Sequence, residues 1–147
     1  MRALGIDLGS KRIGIAVSDR DGTVATPVDV VERTRDRQAT HRAIAALVEE
    51  WEADVVVVGM PYSLDGSIGP AAKAAQDEVE VLRDTVGVPV ETYDERLTTV
   101  TAQRSITEMQ LSPGARRKVV DKIAAAVMLQ SWLDHRRSAR PPEDPHP

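Results

Sequence analysis

The chain contains no cysteine, which excludes disulfides and zinc–thiolate sites and fits a reducing compartment. Long apolar runs are also missing: Val55 to Val58 and Ala124 to Leu129 are far too short to cross a bilayer, so no membrane role is expected. A strand pattern follows Met1 directly, with no signal-peptide stretch, and the expected location is cytoplasmic. Internal repeats are absent. What is present, 147 residues of which 41% are hydrophobic and 29% charged, fits one ordinary globular domain able to bury a single core.

A net charge of −4 argues against a generally basic nucleic-acid binder, but charge is unevenly spread. Residues 49–95 carry twelve acids against Lys73 and Arg83, whereas residues 96–137 have a balance of +5. One face for polyanions and another for solvent would account for that, as would a solvated helix surface.

The most informative segment runs from Gly5 to Asp19, two strand patterns joined by a basic, glycine-containing turn. A lone carboxylate, Asp7, interrupts the first apolar run. An unpaired charge inside a central strand costs several kcal/mol or more, so it must neutralise, find a cation or lie at a site. Gly9 allows a phosphate or a second backbone to approach closely, and Lys11 and Arg12 add positive charge. Together they suggest metal-assisted chemistry on a phosphate; the simpler alternative is an Asp capping a hairpin.

Arg2 to Leu8, Arg12 to Ser18 and Thr23 to Arg33 read as three strands, with Pro27 marking an irregular or edge position. Residues 37–53 change to helical spacing through Ile44, Leu47, Val48 and Trp51. Asp54 to Met60 is a doubly buried strand and Pro61 to Gly69 a loop. A helix over roughly 70–86 presents Ala71, Ala74, Ala75, Val79 and Leu82, and Val88 to Tyr93 is the last strand. Helices at about 97–110 and 116–137 finish a folded domain of residues 1–137. The proline-rich stretch 138–147 reads as a disordered tail. This order predicts an α/β fold: a five-stranded mixed sheet, strand order 3-2-1-4-5, with helices on both faces. The end of the first strand then lies where antiparallel neighbours give way to parallel ones, a favoured ligand crevice.

Two more acids can converge there. In Tyr93-Asp94-Glu95-Arg96-Leu97-Thr98-Thr99, Asp94 and Glu95 point oppositely along an extended chain, so one faces the site. Helix capping, with Thr98 or Thr99 as the cap, is the alternative. In the last helix Ala124, Ala125, Met128, Leu129 and Trp132 follow Asp121 at helical spacing, placing that acid on the apolar face. Two alanines below it would let the helix approach the sheet; a surface pair with Lys118 or Lys122 is the alternative. Three gathered carboxylates repel unless a cation binds, and hard oxygen ligands select Mg²⁺ or Mn²⁺. Such ions support in-line phosphodiester displacement. Lys11, Arg12, Arg96, Arg116, Arg117 and Lys118 would then contact substrate, aided by a helix N-terminus.

The succession of Gly5-Ile6-Asp7 with Gly9, Lys11-Arg12-Ile13-Gly14 and Ser18-Asp19, then Val58-Gly59-Met60-Pro61 with Asp65-Gly66, then Asp94 to Thr99, then Asp121 with Ala124-Ala125 and Leu129-Gln130, resembles the YqgF (RuvX) family. Four motifs in order span residues 5–130. The resemblance implies an RNase H-like, cytoplasmic, divalent-metal nuclease, a hydrolase that trims the 5′ end of pre-16S rRNA during small-subunit maturation. Its carboxylates map onto Asp7, Glu95 and Asp121. Related resolvases of the RuvC type carry an acid where this chain has Val58 to Pro61, and another where it has Ala124. RNA in the small ribosomal subunit precursor is therefore the favoured partner, with branched DNA as the resolvase alternative. Two other classes compete. Actin-like and sugar-kinase ATPases share the opening motif but need a second domain to close over ATP. A non-catalytic RNA-binding module of this fold would tolerate loss of a carboxylate, whereas a nuclease would not.

Overall fold

The computed structural model describes residues 1–99, 101–104 and 116–139, the side chains of 116–120 excepted. Its strands are β1 (Ala3–Leu8), β2 (Arg12–Ser18), β3 (Ala25–Glu32), β4 (Val55–Met60) and β5 (Val90–Asp94). They form one sheet in the expected order β3-β2-β1-β4-β5. β1 pairs antiparallel with β2 and parallel with β4, which places Asp7 at the change of direction. Edge strand β3 slips register against β2 between Ile15 and Ala16, beside Pro27, whose missing N–H cannot serve a regular ladder.

Strand alternation sends Leu4, Ile6, Ile13, Ile15, Val56 and Val58 to one face. Helices α1 (Arg37–Glu50) and α2 (Pro70–Thr85) cover it with Ile44, Leu47, Val48, Ala75, Val79 and Leu82. Asp36 starts α1 by accepting the amides of Gln38 and Ala39, the expected service of an N-cap carboxylate. In α2 the buried stripe is Ala72, Ala75, Glu78, Val79 and Leu82, so Ala71 and Ala74 are exposed, contrary to expectation. The helix is rotated because Glu78 is drawn inward by two cationic partners and a histidine.

The opposite face is built for close approach. Ala3, Ala16 and Ala25 lie there with Gly5 and Gly14, and helix α3 (Arg116–Ala139) packs on them through Ala125, Met128, Leu129 and Leu133. A Cβ on Gly14 would sit 1.9 Å from the Asp121 carbonyl oxygen, and one on Gly5 2.9 Å from Leu129 Cβ. Sheet glycines, more than the two helix alanines, therefore set the separation; Ala125 is buried but Ala124 is exposed. Gln130 fastens α3 to the start of β3 by accepting the Ala25 amide at 2.9 Å and donating to the Thr23 carbonyl at 2.9 Å.

After β5 the chain makes a 3₁₀ turn (Glu95–Leu97), and residues 101–104 are helical. The expected single helix from 97 is interrupted because Thr98 closes the 3₁₀ turn by donating to the Glu95 carbonyl. Thr99 then accepts the Ala102 amide as a new cap. Helix α3 runs two residues past the expected boundary at 137; residues 105–115 and 140–147 lie outside the described residues. Among the described residues no helix is long and apolar enough to cross a membrane.

Candidate active site

Asp7 shares the α3-facing side of β1 with Gly5, two residues earlier. Glu95 emerges just past β5, on the same face as Tyr93, and its path to Asp7 crosses β4. Gly59 makes that crossing possible: a Cβ there would lie 2.7 Å from Glu95 Oε1 and 3.1 Å from its Cγ. The two carboxyls hydrogen-bond to each other. Burial pushes the Glu95 carboxyl up to about 7, with its hydrogen bond to Asp7 and the charges of Asp7 and Asp94 adding to the rise. Asp7 is also raised, first by burial and further by the charge of Asp121, against the lowering influence of the Glu95 hydrogen bond. Both carboxyls are pushed toward the neutral form, so the pair holds a proton between them more readily than two free acids would.

The turn carrying Glu95 is pinned to α3. Tyr93 Oη lies 3.0 Å from Ser131 Oγ and 2.5 Å from His135 Nδ1, and Ser131 donates to the Leu97 carbonyl at 3.0 Å. Asp94 turns away, as alternation requires. Its carboxylate accepts the Arg96 amide at 2.9 Å and the Arg96 guanidinium at 2.6 Å, and these bonds hold it below the ordinary carboxylate range.

Asp121 faces the sheet where its helical spacing put it, and its partner among the described residues is Arg12, not Lys122; the Lys118 side chain lies outside them. Arg12 Nε donates to Asp121 Oδ2 at 2.7 Å, with both side chains about one-third exposed. Among the described residues no group of three or more His, Cys, Asp or Glu is disposed to hold a metal ion. The structure joins Asp7 to Glu95, while Arg12 takes the carboxylate that would be the third ligand. The donor set still fits a hard divalent cation. Two half-buried carboxyls share a proton that a cation can replace, and a third acid close enough to disturb Asp7 needs only to exchange one positive partner for another.

Asp7 and Glu95 open into a crevice of about 470 Å³, walled by Ile123, Ala124, Val127 and Met128 of α3 and by Thr98 and Gln103. Of the expected basic contacts, Lys11 is exposed on the turn between β1 and β2. Arg96 is engaged with Asp94, and its guanidinium lies 6.0 Å from the Tyr62 ring centroid and reaches the Leu64 carbonyl. The side chains of Arg116, Arg117 and Lys118 lie outside the described residues. Gly9 makes room for backbone: a Cβ would lie 2.3 Å from the Arg12 carbonyl oxygen.

Sequence reasoning missed the Arg33–Glu78–His41 cluster behind this turn. Glu78 is 5% exposed; it accepts both terminal nitrogens of Arg33, at 2.9 and 2.7 Å, and lies 2.7 Å from His41 Nε2. Its signal was an acid at i+3 in the stripe Ala75, Val79, Leu82, the same signal that placed Asp121.

An open sheet ordered 3-2-1-4-5, with carboxylates gathered where its central strand ends, defines the RNase H-like fold. T. thermophilus RuvC in complex with a Holliday junction substrate superposes with a TM-score of 0.63 at 16% identity, covering 95% of this chain and 96% of that one. A family model described as RuvX, Holliday junction resolvase, matches residues 1–135. The chain belongs to the RuvX family. A relative from Mycobacterium sp. (strain KMS), named "Putative pre-16S rRNA nuclease", is 50% identical over 139 residues, 94% of this chain and 82% of the relative. One of the same name from Myxococcus xanthus (strain DK1622) is 45% identical over 148 residues, covering 100% and 95%.

Proposed function

We propose that this protein is a divalent-metal-dependent nuclease of the cytoplasm that processes the 5′ end of pre-16S rRNA in small-subunit maturation. The observation that carries the reading is the half-buried Asp7–Glu95 pair, two carboxyls brought together at the mouth of one crevice although their charges repel. The relatives' names supply the substrate. Asp7, Glu95 and Asp121 would hold the ion. Mg²⁺ or Mn²⁺ bound there would supply an activated water and neutralise charge developing on the phosphodiester. Glu95 gives up the shared proton, Asp7 and Asp121 present hard oxygens, and Arg12, released from Asp121, takes a phosphate oxygen together with Lys11. RNA is favoured over a four-way junction because Val58 to Pro61 and Ala124 stand where resolvases of the RuvC type carry further acids.

The test is cleavage of single-stranded RNA and of a four-way DNA junction under Mg²⁺ or Mn²⁺, with binding measured in parallel. RNA should be cut faster, and EDTA should stop the reaction. Binding without cleavage of either substrate would leave a non-catalytic RNA-binding module.

The shared proton also predicts a pH signature. The ordinary value for Glu95 is 4.5 and its folded value is about 7, so the folded chain holds this proton more tightly than the unfolded one. Its stabilisation is complete below the lower value and lost as pH rises through the upper. In EDTA, the melting temperature of wild type relative to Glu95→Gln should therefore fall between about pH 5 and about pH 8. Millimolar Mn²⁺ should reverse that fall, because binding to the folded state replaces the proton. A wild-type curve parallel to that of Glu95→Gln in EDTA would refute the shared proton.

A further inference from the structure

We propose that Arg33 is a positioning residue of the active site, held by Glu78 and His41, that fixes the turn between Asp7 and Arg12 from the opposite face of the sheet. Its catalytic consequence rests on the nuclease reading; the grip itself does not. Arg33 follows β3 and meets the turn twice. Its amide donates to the Lys11 carbonyl at 2.9 Å, and its Nε donates to the Gly9 carbonyl at 2.7 Å. Within the turn the Gly9 amide donates to the Asp7 carbonyl at 3.1 Å. The turn therefore sets the position of Asp7 on one side and of Arg12, the partner of Asp121, on the other.

The rest of the guanidinium is committed to Glu78, whose second oxygen also meets the buried His41. Arg37 stands 4.0 Å from the same carboxylate. Burial alone would raise the Glu78 carboxyl, but the Arg33 and His41 hydrogen bonds outweigh it and hold the group ionised. A buried ion pair of this kind adds little stability over an apolar pair of similar volume, because desolvation offsets its attraction. What apolar side chains cannot do is fill a planar fork and still direct Nε at the Gly9 carbonyl. That is the behaviour of a supporting shell around a site that tolerates little misplacement.

The experiment compares full-length wild type with Arg33→Lys and with the paired variant Arg33→Met/Glu78→Leu, which removes the ion pair while keeping apolar volume. Amide hydrogen exchange at Gly9 and at residue 33 is read without metal or RNA, beside the melting temperature; single-turnover cleavage and RNA affinity follow. Both variants should exchange these two amides at least about tenfold faster while β1 and β4 core amides are unchanged. Cleavage should slow by about tenfold to a hundredfold, with RNA affinity within about twofold of wild type. Unchanged protection at Gly9 and residue 33 in the folded paired variant would overturn the proposal, as would cleavage at the wild-type rate by that variant. If wild type itself cuts no RNA, the nuclease reading fails while exchange still decides whether Arg33 grips the turn.

Discussion

Asp7→Asn, Glu95→Gln and Asp121→Asn are each expected to lower phosphodiester cleavage by about 10³-fold or more, and their combinations to add little further. Groups that assemble one transition state fail together, and each of these acids lacks a substitute. Asp7 is half-buried at the end of the central strand, Glu95 is guided to it over Gly59, and Asp121 is fixed by the helix that rests on Gly14. RNA binding should persist or tighten, since Asp7→Asn and Asp121→Asn each remove a negative charge near a phosphate, as Glu95→Gln does once metal has displaced its proton. Asp121→Asn should tighten it most, because it also releases Arg12. Normal cleavage by all three variants would remove the catalytic reading.

The second large effect concerns two glycines that face the same helix and should behave oppositely. At Gly14 an added methyl would lie 1.9 Å from the carbonyl oxygen and 2.5 Å from the carbonyl carbon of Asp121. Both are backbone atoms of a helix packed along the sheet, so the whole element must withdraw. Gly14→Ala should cost about 3 kcal/mol or more, lowering the melting temperature by roughly 10 °C. It should also abolish cleavage by carrying Asp121 away. At Gly59 the obstruction is the flexible end of Glu95, with Met128 Cγ at 3.2 Å. Gly59→Ala should therefore cost about 1 kcal/mol or less yet displace Glu95 and cut as slowly as Glu95→Gln. Thermal melts and cleavage of the two variants side by side check both. A Gly14→Ala protein that melts like wild type would contradict the packing described for α3.

Much of this site was legible because period and position carry it. Alternation separated Asp94 from Glu95, helical spacing put Asp121 on the inner face, and the meander followed by two crossovers placed the end of β1 at the change of strand direction. Partners were harder, because periodicity names a face and not what lies against it. Asp121 was expected to converge on Asp7, with a lysine of its own helix as the alternative partner, but Arg12, 109 residues away, takes it. Arg96 was read as a substrate contact, and its pairing with a carboxylate two residues before it went unforeseen. The Gly5 and Gly14 approach and the Gly59 passage exist only once strands are stacked side by side, so nothing local marks them. Glu78 did have a local mark, an acid within an apolar stripe, but the alanine-rich start of α2 suggested a different face.

The most direct measurement is the position of Mn²⁺ by anomalous scattering from crystals of wild type soaked at millimolar metal. The expected result is an ion held jointly by Asp7 and Asp121, with Glu95 as a direct ligand or joined through water, and with Arg12 turned away from Asp121. No anomalous peak at these acids, with the Arg12–Asp121 pair intact under saturating Mn²⁺, would contradict it.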